Sequence, residues 1–187
     1  MNGFLYALIA CFLAGCGARD QVLVAALTQR LGARFSLLAL GCLSGALTCA
    51  LAAYAAQDLA GMMNHKARLL LAGFALAAAG VESLLIAPGR QAKEPTRSLF
   101  AALLVLLLNQ VVDASRFIVM AIALACEAPL WAALGGTAGG AAAMAVGWFG
   151  AGALLAAQPR LMLTRRCAGG VLLLSGLAIG LWAMGLI

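Results

Sequence analysis

Gly15-Cys16-Gly17-Ala18-Arg19-Asp20-Gln21 stands in the middle of an apolar run, with residues 4–14 before it and residues 22–27 after it. A second polar stretch, Asn109-Gln110-Val111-Val112-Asp113-Ala114-Ser115-Arg116, sits in the same way between residues 99–108 and 117–124. The flanks decide the fold. A hydrocarbon core about 30 Å thick takes roughly 20 residues of helix, and each flanked stretch is long enough to cross it. Charges in the middle of such a span are stranded far from water, at about 2.5–3.5 kcal/mol each on insertion scales. Arg19, Asp20, Asp113 and Arg116 together therefore ask for on the order of 10 kcal/mol of pairing, hydrogen bonding or hydration.

Working outward, the rest of the chain agrees. Apolar residues make up 65% of the 187 and charged residues 10%, with a mean hydropathy of +1.06. A water-soluble domain lies nearer ~45–50% apolar and roughly 25% charged. Apolar runs bounded by polar or helix-breaking residues predict helices at 3–29, 36–57, 68–87, 98–125, 130–156 and 166–187. The punctuation between them falls at residues 29–34, 58–68, 88–97, 127–129 and 158–166. This reads as an all-α integral membrane protein of six transmembrane helices, with the fourth and fifth joined as an antiparallel hairpin. Six spans and short loops use the whole length and leave no separate soluble domain. A removable leader is not expected, because no basic n-region and small-residue cleavage site precede a polar mature chain.

The formal charge of +6 does not point to nucleic acid, since the basic residues gather in short loops between apolar runs. Arg30, Arg34, Arg90, Lys93, Arg97, Arg160, Arg165 and Arg166 share the face of the odd-numbered loops, against Lys66 and Arg68 on the other. Eight to two predicts odd loops in the cytoplasm and both termini outside, in the inner (plasma) membrane of a bacterium. The six cysteines form no Cys-x-x-Cys pair and lie in or beside apolar segments, as small buried hydrophobes do. His65, the one histidine, sits in a polar loop, so neither a structural zinc site nor a resident cofactor is expected. No nucleophile–base pair or cofactor fingerprint marks an enzyme.

The chain also repeats. A shift of 95 residues lays Gly41 and Gly45 on Gly136 and Gly140, and a shift of 96 lays Ala72, Gly73 and Gly80 on Ala168, Gly169 and Gly176. The two polar stretches align at the 95-residue shift as well. The reading is a first three-helix repeat over 1–90, a basic linker over 91–97 and a second repeat over 98–187. An odd number of helices per repeat makes the second cross in the opposite sense, the inverted-repeat plan of many secondary transporters. The glycines at four-residue spacing are expected to serve close helix packing. Two readings of these charges stand side by side: a structural clamp in which Asp20 pairs with Arg116, and Asp113 with Arg19, across the pseudo-two-fold axis, or a functional polar site that is at least partly hydrated. Glu82 and Glu127 are expected at the interface, near helix ends.

These features resemble the membrane exchangers of the transmembrane protein 165 type, also called uncharacterised protein family 0016. The likeness runs over nearly the whole chain: a short first loop, a Gly-rich second helix, a third helix ending in Gly80-Val81-Glu82-Ser83-Leu84, a basic linker, and the same order again. Each first helix of that family carries Glu-x-Gly-Asp-(Lys/Arg)-(Thr/Ser). Here Gly17 and Arg19 match in the first repeat, with Gly15, Ala18 and Asp20 in place of the Glu, the Asp and the hydroxyl residue. In the second, Asp113 and Ser115 match, with Gln110, Val112 and Ala114 substituted for the Glu, the Gly and the basic residue, and Arg116 following. The resemblance implies a proton-coupled transporter of manganese or calcium with its site between the first and fourth helices. Asp113, Gln110, Ser115 and Asp20 would be the ligands, and Arg19 and Arg116 charge partners or gates. A hard divalent ion prefers several oxygen ligands with carboxylate charge, and the substitutions remove acids. A changed substrate (a monovalent ion or an anion) therefore stays open, as does a homodimer or paralogue partner that supplies the missing acids. So do a non-transporting membrane subunit and an exporter of small organic molecules.

Overall fold

Breaks rather than continuous rods organise the first and fourth apolar runs. The computed structural model describes residues 2–86 and 99–186, and those residues are helical throughout apart from short turns. The first run is α1 (Asn2–Gly15) followed by α2 (Arg19–Leu31), bent by 57°. The Cys16 amide closes α1 on the carbonyls of Phe12 and Leu13, and Gly17 then turns the chain at φ +78°, a conformation that suits a residue without Cβ. After α3 (Phe35–Gly61) and α4 (His65–Leu85), the fourth run is α5 (Leu99–Val111) and α6 (Ala114–Cys126), bent by 51° across residues 103–126. Here no glycine is involved. Asp113 ends the first half and caps the second, its carboxylate accepting from the Ser115 amide at 3.1 Å, which satisfies one of the orphan donors of a helix start.

The remaining elements are α7 (Pro129–Phe149), α8 (Ala151–Ala156) and α9 (Gln158–Met184). Residues 158–166, expected as a loop, are helical. Pro159 occupies the first turn of α9, where its fixed φ and missing N–H suit a helix start, so Arg160, Arg165 and Arg166 ride on a helix. His65, expected in a loop, opens α4, whose Asn64 cap accepts from the Ala67 amide at 2.9 Å. Glu127 forms the expected surface turn between α6 and α7 at φ 50° and pairs with Arg68 at 3.0 Å. The basic linker read at 91–97, and Arg90 before it, lie outside the described residues.

By length and apolarity, α3, α4, α7 and α9 are each able to cross a membrane, and each bent pair passes as well, which gives four spans or up to six. Packing is that of a protein in lipid. Leu5, Leu13, Leu51, Phe74, Leu108, Phe149, Leu174 and Trp182 point outward, whereas the largest apolar cluster is mostly alanine. Between helices bathed in hydrocarbon, close approach of small residues supplies the packing energy. A Cβ on Gly135 would meet the Phe4 carbonyl, and one on Gly139 the Leu8 carbonyl, so α1 lies directly on the backbone of α7. On α4 and α9 the contacts are reciprocal. A Cβ on Gly73 would meet Gly176 O at 2.8 Å, and one on Gly176 would meet Gly73 O at 2.6 Å. Gly80 and Gly169 stand in the same relation, at 2.7 and 3.0 Å. Rising number on one helix meets falling number on the other, so the two cross antiparallel.

Candidate functional site

The two breaks bring the polar stretches together at the centre of the bundle. Asp20, Gln21, Gln110, Asp113, Ser115 and Arg116 are all buried, and Arg19 is partly so. Gln21 splints the first break: its Oε1 accepts from the Gly17 amide at 2.7 Å and its Nε2 donates to the Ala143 carbonyl on α7 at 2.6 Å. One turn of α2 thereby fastens the broken span to α7.

Two lobes result. In the first, Asp20, Ser115 and Arg116 border a cavity of about 10 Å³, together with Gly45, Thr137 and Gly140, room for about one water molecule. Asp20 accepts from the Gln21 amide at 2.8 Å and, over a long 3.5 Å, from Gln110 Nε2, which also reaches the Gly41 carbonyl at 3.4 Å. Gln110 Oε1 is buried without a partner among the described residues. Arg116 donates from Nε to Thr48 Oγ1 at 2.7 Å, and among the described residues it forms no ion pair. Of the glycines at four-residue spacing, Gly41 and Gly136 do abut neighbours, Met144 and Val119. Gly140 has nothing within 4 Å of a built Cβ, and Gly45 would meet only Arg116 Nη2 at 3.7 Å. Those two keep the cavity open rather than the helices close.

The second lobe holds the other four charges. Glu82 receives Arg19 at 3.2 Å on one carboxylate oxygen and Arg165 at 2.6 Å on the other. Arg165 also lies 3.9 Å from Asp113 and donates to the Gly17 carbonyl at 3.3 Å. The pairs that the clamp reading calls for, Asp20 with Arg116 and Asp113 with Arg19, do not form. Arg19 turns to Glu82, Asp113 faces Arg165, and Asp20 faces Arg116 only across the cavity. Glu82 is likewise not interfacial: its side chain is 4% exposed, because the Gly80–Gly169 crossing draws its end of α4 against α9. Glu82 and Arg165 are the residues that sequence reasoning misplaced. The signal for Arg165 was Pro159, read as a loop residue when it marks a helix start.

The buried lobes thus carry three acids, Asp20, Glu82 and Asp113, against Arg19, Arg116 and Arg165. Among the described residues no group of three His, Cys, Asp or Glu converges as a metal cage. The oxygens on offer are instead dispersed over carboxylates, the orphan Gln110 carbonyl, Ser115 and backbone carbonyls at the breaks. No protein family, no curated protein and no solved structure matches the chain.

Proposed function

We propose that the chain is a secondary membrane transporter of a small inorganic cation, with six spans arranged as two inverted three-helix repeats and its path between the first and fourth spans. The observation that carries the reading is the pair of breaks. Both fall in the middle of an apolar run, at positions about one repeat apart, and both gather buried oxygens around a common centre. Broken helices whose free carbonyls and amides face a midplane site are the device by which many transporters bind ions. The reciprocal Gly73–Gly176 and Gly80–Gly169 contacts support the inverted repeat, since a two-fold axis relating α4 to α9 requires each contact to recur with partners exchanged.

By resemblance the cargo is manganese or calcium, exchanged for protons. Asp113 and Asp20 supply the carboxylates, Gln110 Oε1 and Ser115 the neutral oxygens, and Arg19 and Arg116 act as charge partners or gates. Rocking of one repeat against the other exposes the centre alternately. The residence is the plasma membrane of a bacterium, with the odd loops cytoplasmic. Asp113→Asn in proteoliposomes is expected to abolish uptake of manganese, of calcium and of the coupled proton signal. Unchanged flux in a monodisperse preparation of that variant sinks the assignment.

The balance of three buried acids by three arginines favours a second reading, a non-transporting subunit whose centre is a structural clamp and which works beside a paralogue. A stoichiometric membrane partner on purification, with no flux from the chain alone, would favour that one.

A further inference from the structure

We infer that the oxygens gathered around Arg165 form a site for a monovalent metal cation, and that the Arg165 guanidinium occupies it as a tethered competitor. Three elements supply the oxygens: Glu82 Oε2 from α4, Asp113 Oδ1 from the break between α5 and α6, and the Gly17 carbonyl from the break between α1 and α2. Their distances to the guanidinium nitrogens are 2.6, 3.9 and 3.3 Å. Both carboxylates and the guanidinium are within 4% of complete burial. Carboxylates and a backbone carbonyl without nitrogen or sulfur ligands are the donor set of a hard cation.

The guanidinium donates to Glu82 and to the Gly17 carbonyl but leaves part of its donor set unmet. Its Nε is buried with no partner among the described residues, and its approach to Asp113 is beyond hydrogen-bonding range. A clamp kept only for stability would satisfy a planar five-donor fork more fully. Charge selects the guest. Glu82 and Asp113 are offset by Arg19 and Arg165, so withdrawing Arg165 leaves a single negative charge. A sodium-like ion restores neutrality, whereas a divalent ion leaves an excess positive charge in a medium that penalises it. Withdrawal has a route as well. The first turns of α9 rest on the break, with Leu161 in the place a Cβ on Gly17 would meet at 3.1 Å. A tilt there lifts Leu161 and Arg165 together.

This inference rests on the reading of the centre as a cation site but makes no use of flux. The test is thermal unfolding of the detergent-purified full chain in sodium chloride against choline chloride at equal ionic strength. Wild type, R165Q, R165K, and R165Q combined with E82Q are compared. R165Q is expected to gain sodium-selective stabilisation, with an apparent Kd about tenfold tighter than wild type once the competitor is gone. R165K is expected to fall between the two, and the added E82Q to erase the gain. The inference is overturned by equal midpoints in sodium and choline for a monodisperse R165Q, or by a sodium effect that survives E82Q. If R165Q does not purify as a monodisperse species, R165K carries the test, and absence of any sodium dependence beyond wild type overturns it. Sodium-selective stabilisation together with absent flux removes the transporter reading and leaves this one standing.

Discussion

Glu82 holds one negative charge between two arginines, and its burial sets what its loss does. Replacing one partner of a buried pair strands the other charge, at a cost of about 3–5 kcal/mol. Glu82→Gln removes the partner of two, leaving Arg19, partly buried, without its carboxylate and Arg165, buried, with only the 3.9 Å approach to Asp113. We expect it to lower stability by about 3–5 kcal/mol, read as the unfolding free energy in SDS titration of mixed micelles. The control is Glu127→Gln. That carboxylate is 56% exposed, and removing a solvated pair with Arg68 is expected to cost about 0–1 kcal/mol. Equal effects would contradict the buried network. The sequence did not tell these two acids apart: it placed both at an interface, which fails for Glu82, because a carboxylate near a helix end is free to snorkel unless something covers it. What covers Glu82 is α9, whose Arg165 lies 83 residues further along the chain. Asp113 and Asp20 were legible as buried because their own flanks are apolar over a whole span. Their partners were not, since pairing depends on which helices meet.

At the scale of the element, the α4–α9 crossing explains both the burial of Glu82 and the position of Arg165. Two adjacent glycines on α9 separate packing from mere composition. A Cβ on Gly169 would meet Ser83 Cβ at 2.9 Å and the Gly80 carbonyl at 3.0 Å, while one on Gly170 has open space. Gly169→Ala is expected to push the helices apart and cost about 1–3 kcal/mol. Gly170→Ala is expected to be neutral or to stabilise by up to about 1 kcal/mol, since alanine is the better helix former. The same SDS titration ranks them, and a Gly170→Ala cost equal to that of Gly169→Ala would refute the crossing geometry. Glycine spacing marks a close-packing face on α3 and α7, and only part of that face is used so. Gly135 and Gly139 seat α1, whereas Gly140 stays open to the cavity. A periodicity of four fits both faces of a helix this rich in small residues. The breaks in the first and fourth runs were hidden for a related reason: a polar insertion inside an apolar run reads as one long helix until a cap is recognised. Asp113 two residues before Ser115 is such a cap.

For the whole molecule, orientation follows from charge, and the structure changes the count that decides it. Arg165 was one of eight basic residues on the odd-loop side, but it is buried and paired with Glu82, so it no longer acts as a topology signal. Eight less one leaves seven, three of which, Arg90, Lys93 and Arg97, fall outside the described residues. Against them stand Lys66 and Arg68, the latter paired with Glu127. Lys and Arg near span ends retain a polypeptide on the cytoplasmic side, whereas acidic residues contribute little, so seven to two still predicts cytoplasmic odd loops. Two loop positions report on opposite faces: Arg34, just before α3, and Met63, between α3 and α4. In a background with the six native cysteines replaced, Met63→Cys is expected to react with a membrane-impermeant maleimide in intact cells. Arg34→Cys is expected to react only after the membrane is opened. The opposite pattern would invert the topology and, with it, the face on which the Arg19–Glu82–Arg165 network lies. That network occupies the ends of α4 and α9 nearest the odd loops, with the Asp20–Arg116 cavity deeper in. With odd loops cytoplasmic, Arg19, Glu82 and Arg165 would lie on the cytoplasmic side of that cavity.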